Sequence, residues 1–217
     1  INGSNWSELI ILETLRKRNP LVICITNDVV RTFTANGLLA IGASPVMSEC
    51  SEDLKDLIVH AAALLINIGT VTPDKVTYYK EAITLAKAHE VPIMLDPVGC
   101  HAGAYRLSVV LDLIKTDAIS LLRGNQSEIK AIYDALNTNH KIDSSLSGKG
   151  VDGEQVEDSA IITYRLARQI NCPVVATGEE DYVSDGTRVF AVPHGHPIMT
   201  AVTGTGCLLG AVLAAFF

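Results

Sequence analysis

Residues 64–99, LLINIGTVTPDKVTYYKEAITLAKAHEVPIMLDPVG, contain a complete strand–helix–strand unit. Two short apolar runs, 64–68 and 92–95, flank a segment of helical spacing at 74–89. A helix of this length between two strands is the usual connection between parallel neighbours of one sheet. The stretch therefore predicts parallel strands with a helix packed on the sheet.

The same alternation continues in both directions along the chain. Further strands are predicted at 21–26, 118–122 and 173–176, and further helices at 52–63, 126–136 and 156–169. Near the end, the turn sequence at 185–187 separates 181–184 from 188–192 and predicts an antiparallel hairpin. We expect an α/β fold of three layers, α/β/α, with a mostly parallel central sheet.

The domain organisation follows from the chain length and from the regular alternation of predicted strands and helices. At 217 residues, 1–217 is interpreted as one domain without a separate lid, and the polar stretch 137–153 as a long surface loop. The chain starts at Ile1, and its apolar helical pattern runs to Phe217 without a cap. We therefore expect further C-terminal helices in the intact protein.

Composition excludes several classes of function. A net charge of -7, with 17 Lys and Arg against 24 Asp and Glu, argues against a nucleic-acid partner. Apolar runs too short to cross a membrane and five scattered cysteines without a C-x-x-C pair indicate a cytoplasmic protein with reduced thiols. The 48% hydrophobic content suggests that further apolar surface is covered in an oligomer.

Polar residues cluster directly after the predicted strands. In open parallel sheets, this carboxyl edge is where ligands bind. The common placement therefore predicts a binding site there, formed from TND at 26–28, GT at 69–70, DPVG at 96–99, RGN at 123–125 and TGE at 177–179.

The turn Gly204-Thr205-Gly206-Cys207 opens an apolar helix over 208–217. Unpaired backbone N–H groups and the helix dipole attract an anion at such a point, and Thr203 or Thr205 can cap the helix. The same dipole is expected to lower the pKa of the Cys207 thiol, making it a candidate base. The alternatives are a plain glycine-rich helix start and, for Cys207, a small buried apolar side chain.

Two carboxylates and one guanidinium complete the candidate chemistry. Asp96 ends an apolar strand and Glu128 lies on the first turn of a helix, so the two are expected to converge on Mg²⁺. Arg123 and Thr177 are placed to contact phosphate oxygens. Turn formation for Asp96, helix capping for Glu128 and a solvated ion pair for Arg123 remain alternatives. The histidines of HGH at 194–196 are assigned to loop structure, because two ligands do not make a metal site.

Taken together, the segments resemble the hydroxyethylthiazole kinase family of ribokinase-like enzymes. The resemblance covers residues 19–217. It is carried by ITN at 25–27 with TAN at 34–36, AIGASPVM at 40–47, LINIGT at 65–70, LDPVG at 95–99, RGN at 123–125, TGE at 177–179 with DYVSDG at 181–186, and GHP at 195–197 with VTGTGC at 202–207.

The resemblance implies phosphorylation of the hydroxyl of 4-methyl-5-(2-hydroxyethyl)thiazole by ATP, in thiamine biosynthesis or salvage. It further implies a homotrimer with active sites at subunit interfaces. Cys207 stands where other ribokinase-like kinases carry an Asp base. The resemblance also implies a role for each remaining residue. The thiazole pocket is formed by Asn27, Met47 and Gly204, and the anion hole by the turn Gly204, Thr205, Gly206 and Cys207. ATP is contacted by Arg123 and Thr177, and Mg²⁺ is held by Asp96 and Glu128.

Three other functions remain open at this point. The nearest is a ribokinase-like kinase acting on the pyrimidine half of thiamine, which usually keeps Asp at the position of Cys207. A nucleotide-sensing module without turnover would bind ATP only. A thiol-dependent enzyme would use Cys207 as nucleophile, with His194 or His196 as its partner.

Overall fold

The computed structural model describes residues 4–138 and 158–217. Its sheet has the order β2-β1-β3-β4-β5-β6-β7-β8. Strands β1 to β6 pair in parallel, and β7 and β8 add an antiparallel hairpin at one edge, as predicted. The strands are β1 Leu21–Ile25, β2 Ser44–Met47, β3 Ala63–Asn67, β4 Ile93–Asp96, β5 Leu121–Asn125, β6 Val174–Thr177, β7 Asp181–Ser184 and β8 Val189–Val192.

Helices cover both faces of this sheet, which confirms the three-layer prediction. One core cluster joins the sheet to α3, α4, α5, α6 and α7, and a second joins the opposite face to α1, α2 and α8. The helices are α1 Ser4–Arg18, α2 Arg31–Ile41, α3 Ser51–Leu57, α4 Pro73–Ala88, α5 Ala104–Ile114, α6 Gln126–Thr138, α7 Ser159–Ile170 and α8 Thr205–Ala215.

The alternation of side chains along each strand explains how one sheet serves both cores. In β3, Leu64 and Ile66 belong to the first cluster, whereas Ala63 and Leu65 belong to the second. Because successive side chains point to opposite faces, a strand covered on both sides needs an almost continuous apolar run.

The start of α4 is also determined by neighbouring residues. Thr72 caps the helix by accepting a hydrogen bond from the Lys75 amide, and Pro73 follows at the first helical position.

Several predicted boundaries are wrong. The strand expected at 118–122 lies at Leu121–Asn125, because Arg123, Gly124 and Asn125 continue the pairing with β6 rather than forming a loop. The helix expected over 52–63 ends at Leu57, and a short 3₁₀ turn precedes β3. The predictions also lacked β2, α1, α2 and α5. Strand β2 lies at the sheet edge, where Pro45 is tolerated.

Two further predictions touch residues outside the described ranges. The proposed loop at 137–153 lies there except for its first two residues, which end α6. The helix expected at 156–169 is α7, which begins at Ser159 after its N-cap Asp158, so the predicted start is wrong. Within residues 4–138 and 158–217, no helix combines the length and apolar character needed to cross a membrane.

Candidate active site

Polar side chains end β3, β4, β5 and β6 on the sheet face that α8 covers. Leu65 and Met94 pack in the core beneath α8. Two residues further along the same strands, Asn67 and Asp96 therefore face the same side, and they are direct partners in the parallel register. The apolar pattern of each strand thus ends in a polar residue just where the sheet meets the start of α8.

Hydrogen bonds and one ion pair connect the polar side chains at this edge of the sheet, each to the next. Asn27 Nδ2 donates to Asn67 Oδ1 at 2.9 Å, and Asn67 Nδ2 donates to Asp96 Oδ2 at 2.9 Å. Arg123 Nη1 lies 3.6 Å from Asp96 Oδ2, while Arg123 Nη2 donates to Thr177 Oγ1 at 2.6 Å. We call this arrangement the polar row; with the thiol that adjoins Asn27, it comprises Cys207, Asn27, Asn67, Asp96, Arg123 and Thr177.

The glycine turn lies directly over the row. Gly204 precedes α8 with a φ of 90°, a conformation that favours glycine. A Cβ on Gly206 would stand 2.7 Å from Arg123 Nη2, so only glycine lets the helix start approach the guanidinium this closely. The first N–H groups of an α-helix have no intrahelical acceptor. Backbone donors and a buried cation therefore converge at one point.

The predicted threonine cap of α8 is wrong. Gly204 occupies the cap position, where no side chain makes a capping hydrogen bond. The Thr205 hydroxyl donates instead to the Met199 carbonyl at 3.5 Å. The N-terminal amides of α8 are therefore not occupied by a protein hydroxyl, which favours the anion-binding interpretation over a plain helix start.

The expected lowering of the Cys207 pKa is also wrong. Burial raises the pKa of this thiol, and the nearby Asp96 carboxylate raises it further, against smaller opposing effects from Asn67, Asn27 and Arg123. Cys207 Sγ lies 3.5 Å from Asn27 Nδ2, and its side chain is only partly exposed. Loss of hydration outweighs the helix dipole here, so the free enzyme holds a neutral thiol at pH 7.

Asp96 is a fully buried carboxyl group at the centre of the row. Its side chain is completely buried, and its Oδ1 has no hydrogen-bond partner. Burial raises the pKa of this carboxyl to about 7, although the Arg123 guanidinium opposes the shift. The Nε of Arg123 is likewise buried without a partner. Arg123 is only 6% exposed, which rules out the solvated ion pair.

Glu128 has both carboxylate oxygens occupied by backbone amides. Gly99 N donates to Oε1 at 2.7 Å and Asn125 N donates to Oε2 at 2.8 Å, while Asn125 Oδ1 accepts from Glu128 N at 2.9 Å. The reciprocal pair with Asn125 is a capping box, as the helix-capping alternative expected. Its charge still raises the pKa of Asp96. No cluster of three or more His, Cys, Asp or Glu with metal-binding geometry occurs among residues 4–138 and 158–217.

The remaining predicted residues lie around the row. Asn27 is buried within it, whereas Met47 ends β2, pairs with Cys24 and packs against the core beneath α8. His196 Nδ1 accepts a hydrogen bond from Ile198 N at 3.2 Å, which agrees with a loop-structural role. No hydrogen bond links Cys207 to a histidine in the described part of the chain. A cysteine–histidine pair for nucleophilic catalysis is therefore not formed there.

Asn67 is the member of the polar row that sequence reasoning missed. It is completely buried, and its side-chain amide contacts both Asn27 and Asp96, while its Oδ1 also accepts from Gly69 N at 3.0 Å. The available signal was an amide interrupting the apolar run of β3. Buried amides of this kind are retained where each hydrogen-bonding group has a partner.

Known proteins resemble the chain over nearly its whole length. The model of the hydroxyethylthiazole kinase family matches residues 12–217. Hydroxyethylthiazole kinases of Streptococcus agalactiae and Streptococcus suis are 53% and 51% identical over 205 residues, covering 94% of this chain and 77% and 75% of theirs. The solved structure of hydroxyethylthiazole kinase from Pyrococcus horikoshii has 39% identity and a TM-score of 0.83, covering 95% of this chain and 74% of that one.

More distant structures share the fold alone. A phosphomethylpyrimidine kinase from Clostridium difficile superimposes with a TM-score of 0.58 at 14% identity. The hydroxyethylthiazole kinase from Pyrococcus horikoshii, by contrast, shares 39% of the sequence as well as the architecture. The chain therefore belongs to the hydroxyethylthiazole kinase family, and it is a kinase of ribokinase-like fold.

Proposed function

We propose that this kinase transfers the terminal phosphoryl group of ATP to the hydroxyl of 4-methyl-5-(2-hydroxyethyl)thiazole at the polar row, in thiamine biosynthesis or salvage. Family membership supports the reaction. The observation that carries the location is the approach of Gly206 to Arg123, where a Cβ would lie 2.7 Å from the guanidinium. Donors from a helix start and a buried cation at one point form a fixed anion hole.

The phosphate end of the row consists of Arg123, Thr177 and the start of α8. Arg123 keeps its Nη2 on the Thr177 hydroxyl at 2.6 Å and its Nη1 beside Asp96. These contacts hold the guanidinium in one orientation before substrate binds. Phosphoryl transfer through a loose transition state gains mainly from such positioning and charge stabilisation. We assign Arg123 and Thr177 to the phosphates of ATP.

We assign Cys207, Asn27, Met47 and Gly204 to the acceptor end. The Asn27 amide orients the polar part of the thiazole alcohol, and Met47 provides apolar contact. Because burial and Asp96 raise the pKa of Cys207, the thiol is neutral when substrate arrives. A loose transition state leaves most of the acceptor proton in place until late. A neutral thiol cannot accept the hydroxyl proton, so the proton passes to an oxygen of the transferred phosphoryl group as the bond to ADP breaks. Cys207 accepts this proton only in its minor thiolate form, and it therefore assists the reaction rather than driving the attack.

The residues fit Mg²⁺ at the centre of the row. Asp96 has a buried oxygen without a partner, and carboxylate oxygen is the ligand that Mg²⁺ prefers. Asp96 would hold the ion together with phosphate oxygens and water, and Glu128 would add negative charge from its helix start. When bound, Mg²⁺ neutralises charge on the phosphate oxygens. The other oxygen of Asp96, Oδ2, lies 3.6 Å from Arg123 Nη1.

We further propose a homotrimer with active sites at the subunit interfaces. Support comes from large apolar side chains exposed beside the glycine turn. Phe33 is 39% exposed, and its ring would lie 3.4 Å from a Cβ on Gly204. Val29 and Ile198 are more than 60% exposed. Sedimentation equilibrium should give three times the chain mass of 23.2 kDa, and a monomer would contradict the proposal. A cytoplasmic location stays a prediction.

Substrate-dependent release of ADP tests the proposed reaction. The protein is incubated with Mg-ATP and either the thiazole alcohol or hydroxymethylpyrimidine. We expect ADP to appear with the thiazole alcohol and not with the pyrimidine. Pyrimidine-dependent ADP alone would favour the rival kinase, and ATP binding without ADP from either compound would favour a nucleotide-sensing module. Either result would contradict the proposal.

A further inference from the structure

A short loop at 178–180 connects β6 to β7 directly after Thr177. Three of its backbone groups make hydrogen bonds to residues outside the loop. Gly178 N donates to Asp181 Oδ1 at 2.9 Å, and Gly195 N donates to the Glu179 carbonyl at 3.2 Å. The Glu180 carbonyl accepts from Gln126 Nε2 at 2.9 Å. Two of these contacts, from Gly195 and Gln126, come from outside the β6–β7 hairpin and fix the loop against other parts of the chain.

Gln126 provides the longest-range of these contacts. It is the first residue of α6, one position after β5 ends. Its Nε2 donates to the Glu180 carbonyl, and its Oε1 accepts from the Ser159 hydroxyl at 2.9 Å. Because both ends of the amide are engaged, the side chain has one orientation. Gln126 thus ties the 178–180 loop to the starts of α6 and α7.

Gly178 shows how closely this amide covers the loop. A Cβ at position 178 would stand 2.5 Å from Gln126 Nε2 and 2.9 Å from its Cδ. These separations are shorter than any van der Waals contact. An alanine at this position would therefore push the Gln126 amide away from the Glu180 carbonyl. The two residues form one packed unit immediately next to Thr177.

We propose that Gln126 is a positioning residue for ATP binding. By holding the 178–180 loop, it keeps Thr177 at the end of β6, where the Thr177 hydroxyl accepts from Arg123 and donates to the Gly124 carbonyl at 3.3 Å. Among the described residues, no hydrogen bond joins Gln126 to a member of the polar row. The inference rests on the proposed function, in which Arg123 and Thr177 meet the phosphates of ATP.

The test measures the Kd of a fluorescent ATP analogue together with the KM values for ATP and thiazole alcohol. Loss of one fixed hydrogen bond in Gln126→Ala should weaken ATP binding by roughly 3- to 10-fold. The KM for thiazole alcohol should stay within about 2-fold of wild type, since no thiazole contact changes. The control is Gln169→Ala, which removes an exposed glutamine on α7 that contacts Asn137, and it should change neither constant.

A second variant separates positioning from general destabilisation. Gly178→Ala should weaken ATP binding about as much as Gln126→Ala, and the double variant should be no weaker than either single one, because both changes break the same contact. A structural role alone would lower the thermal midpoint and leave the Kd of folded protein unchanged. An unchanged Kd in Gln126→Ala, with or without a lower thermal midpoint, would overturn the inference. Additive effects in the double variant would also overturn it.

The outcomes also distinguish this inference from the proposed function. If wild-type protein binds the ATP analogue but releases no thiazole-dependent ADP, the proposed reaction fails, while the Gln126 variants still decide the positioning role through Kd. If wild-type protein releases thiazole-dependent ADP and Gln126→Ala binds ATP normally, only the positioning role fails. Wild-type protein that binds no ATP would contradict both.

Discussion

The two ends of the polar row differ in charge and in how completely their hydrogen-bonding groups are paired. At the acceptor end, Cys207 meets a neutral amide, and Asn27 has partners on both its nitrogen and its oxygen. At the phosphate end, the ionisable pair of Asp96 and Arg123 is almost fully buried, and each side chain retains one unpaired atom. Buried charges of this kind cost stability and act most strongly on a bound anion or cation. The comparison places the electrostatic contribution to catalysis at the phosphate end.

The largest effect is expected from Arg123→Met, which removes the only positive side chain of the row. Asp96 would be left buried without its counter-charge, so the free energy of unfolding should fall by ~3–5 kcal/mol. The kcat/KM for ATP should fall at least ~10²-fold, as when a preorganised donor is removed from an anion hole. Urea unfolding and steady-state kinetics measure the two quantities.

The matched control for this change is Arg188→Met. Arg188 pairs with Asp185 on the exposed hairpin turn, so its loss should cost less than ~1 kcal/mol and leave kcat/KM unchanged. Equal effects from the two arginines would contradict the assignment of the electrostatic contribution to Arg123.

A pH dependence of stability is expected from Asp96. Its folded pKa of about 7 lies above its ordinary value of 3.8, so between these values native protein holds a proton that the unfolded chain has released. The stabilising contribution is complete below pH 4 and is lost as pH rises through 7, by up to ~4 kcal/mol without Mg²⁺. Asp96→Asn should remove this slope. Urea unfolding at pH 5 and pH 8 in metal-free buffer measures it, and identical slopes in both proteins would contradict the assignment.

A smaller effect on both ends is expected from Asn67→Leu. The change leaves Asn27 and Asp96 without their shared partner, so stability should fall by ~2–3 kcal/mol. Both KM values should rise, since Asn67 contacts the acceptor and phosphate sides, whereas Asn27→Ala should raise only the KM for thiazole alcohol. Asn137→Leu on α6 is the control and should cost no more than ~1 kcal/mol. If Asn67→Leu left both KM values unchanged, the row would not act as a unit.

The sequence predicted the parts of the fold that depend on a local pattern. The helix expected at 74–89 is α4, and Asp96 ends β4, because alternating apolar runs and a threonine cap are coded by neighbouring residues. The strand containing Arg123 was misplaced, since RGN at 123–125 has the composition of a turn. Its strand conformation comes from pairing with β6, which no local pattern reveals.

The candidate site likewise has features that the local sequence predicted and features that only tertiary packing determines. Residue identities at strand ends located Asp96, Arg123 and Thr177 at one edge, and the glycine turn above them. The contact of Asn67 with Asp96 depends on the register of β3 against β4, and the pKa of Cys207 depends on burial beneath neighbouring segments. Both are properties of tertiary packing. The helix dipole, a local feature, predicted the direction of the Cys207 shift wrongly because desolvation is the larger effect.

The central claim is that the backbone of the glycine turn contributes more to catalysis than the Cys207 thiol. The most direct test compares the steady-state rates at which Gly206→Val and Cys207→Asp phosphorylate the thiazole alcohol. The valine places a Cβ 2.7 Å from Arg123 Nη2, so kcat/KM should fall at least ~10²-fold. The aspartate places an oxygen acceptor beside the Asn27 amide, where Cys207 has its sulfur, so Cys207→Asp should retain or exceed wild-type activity. An inactive Cys207→Asp beside an active Gly206→Val would contradict the account.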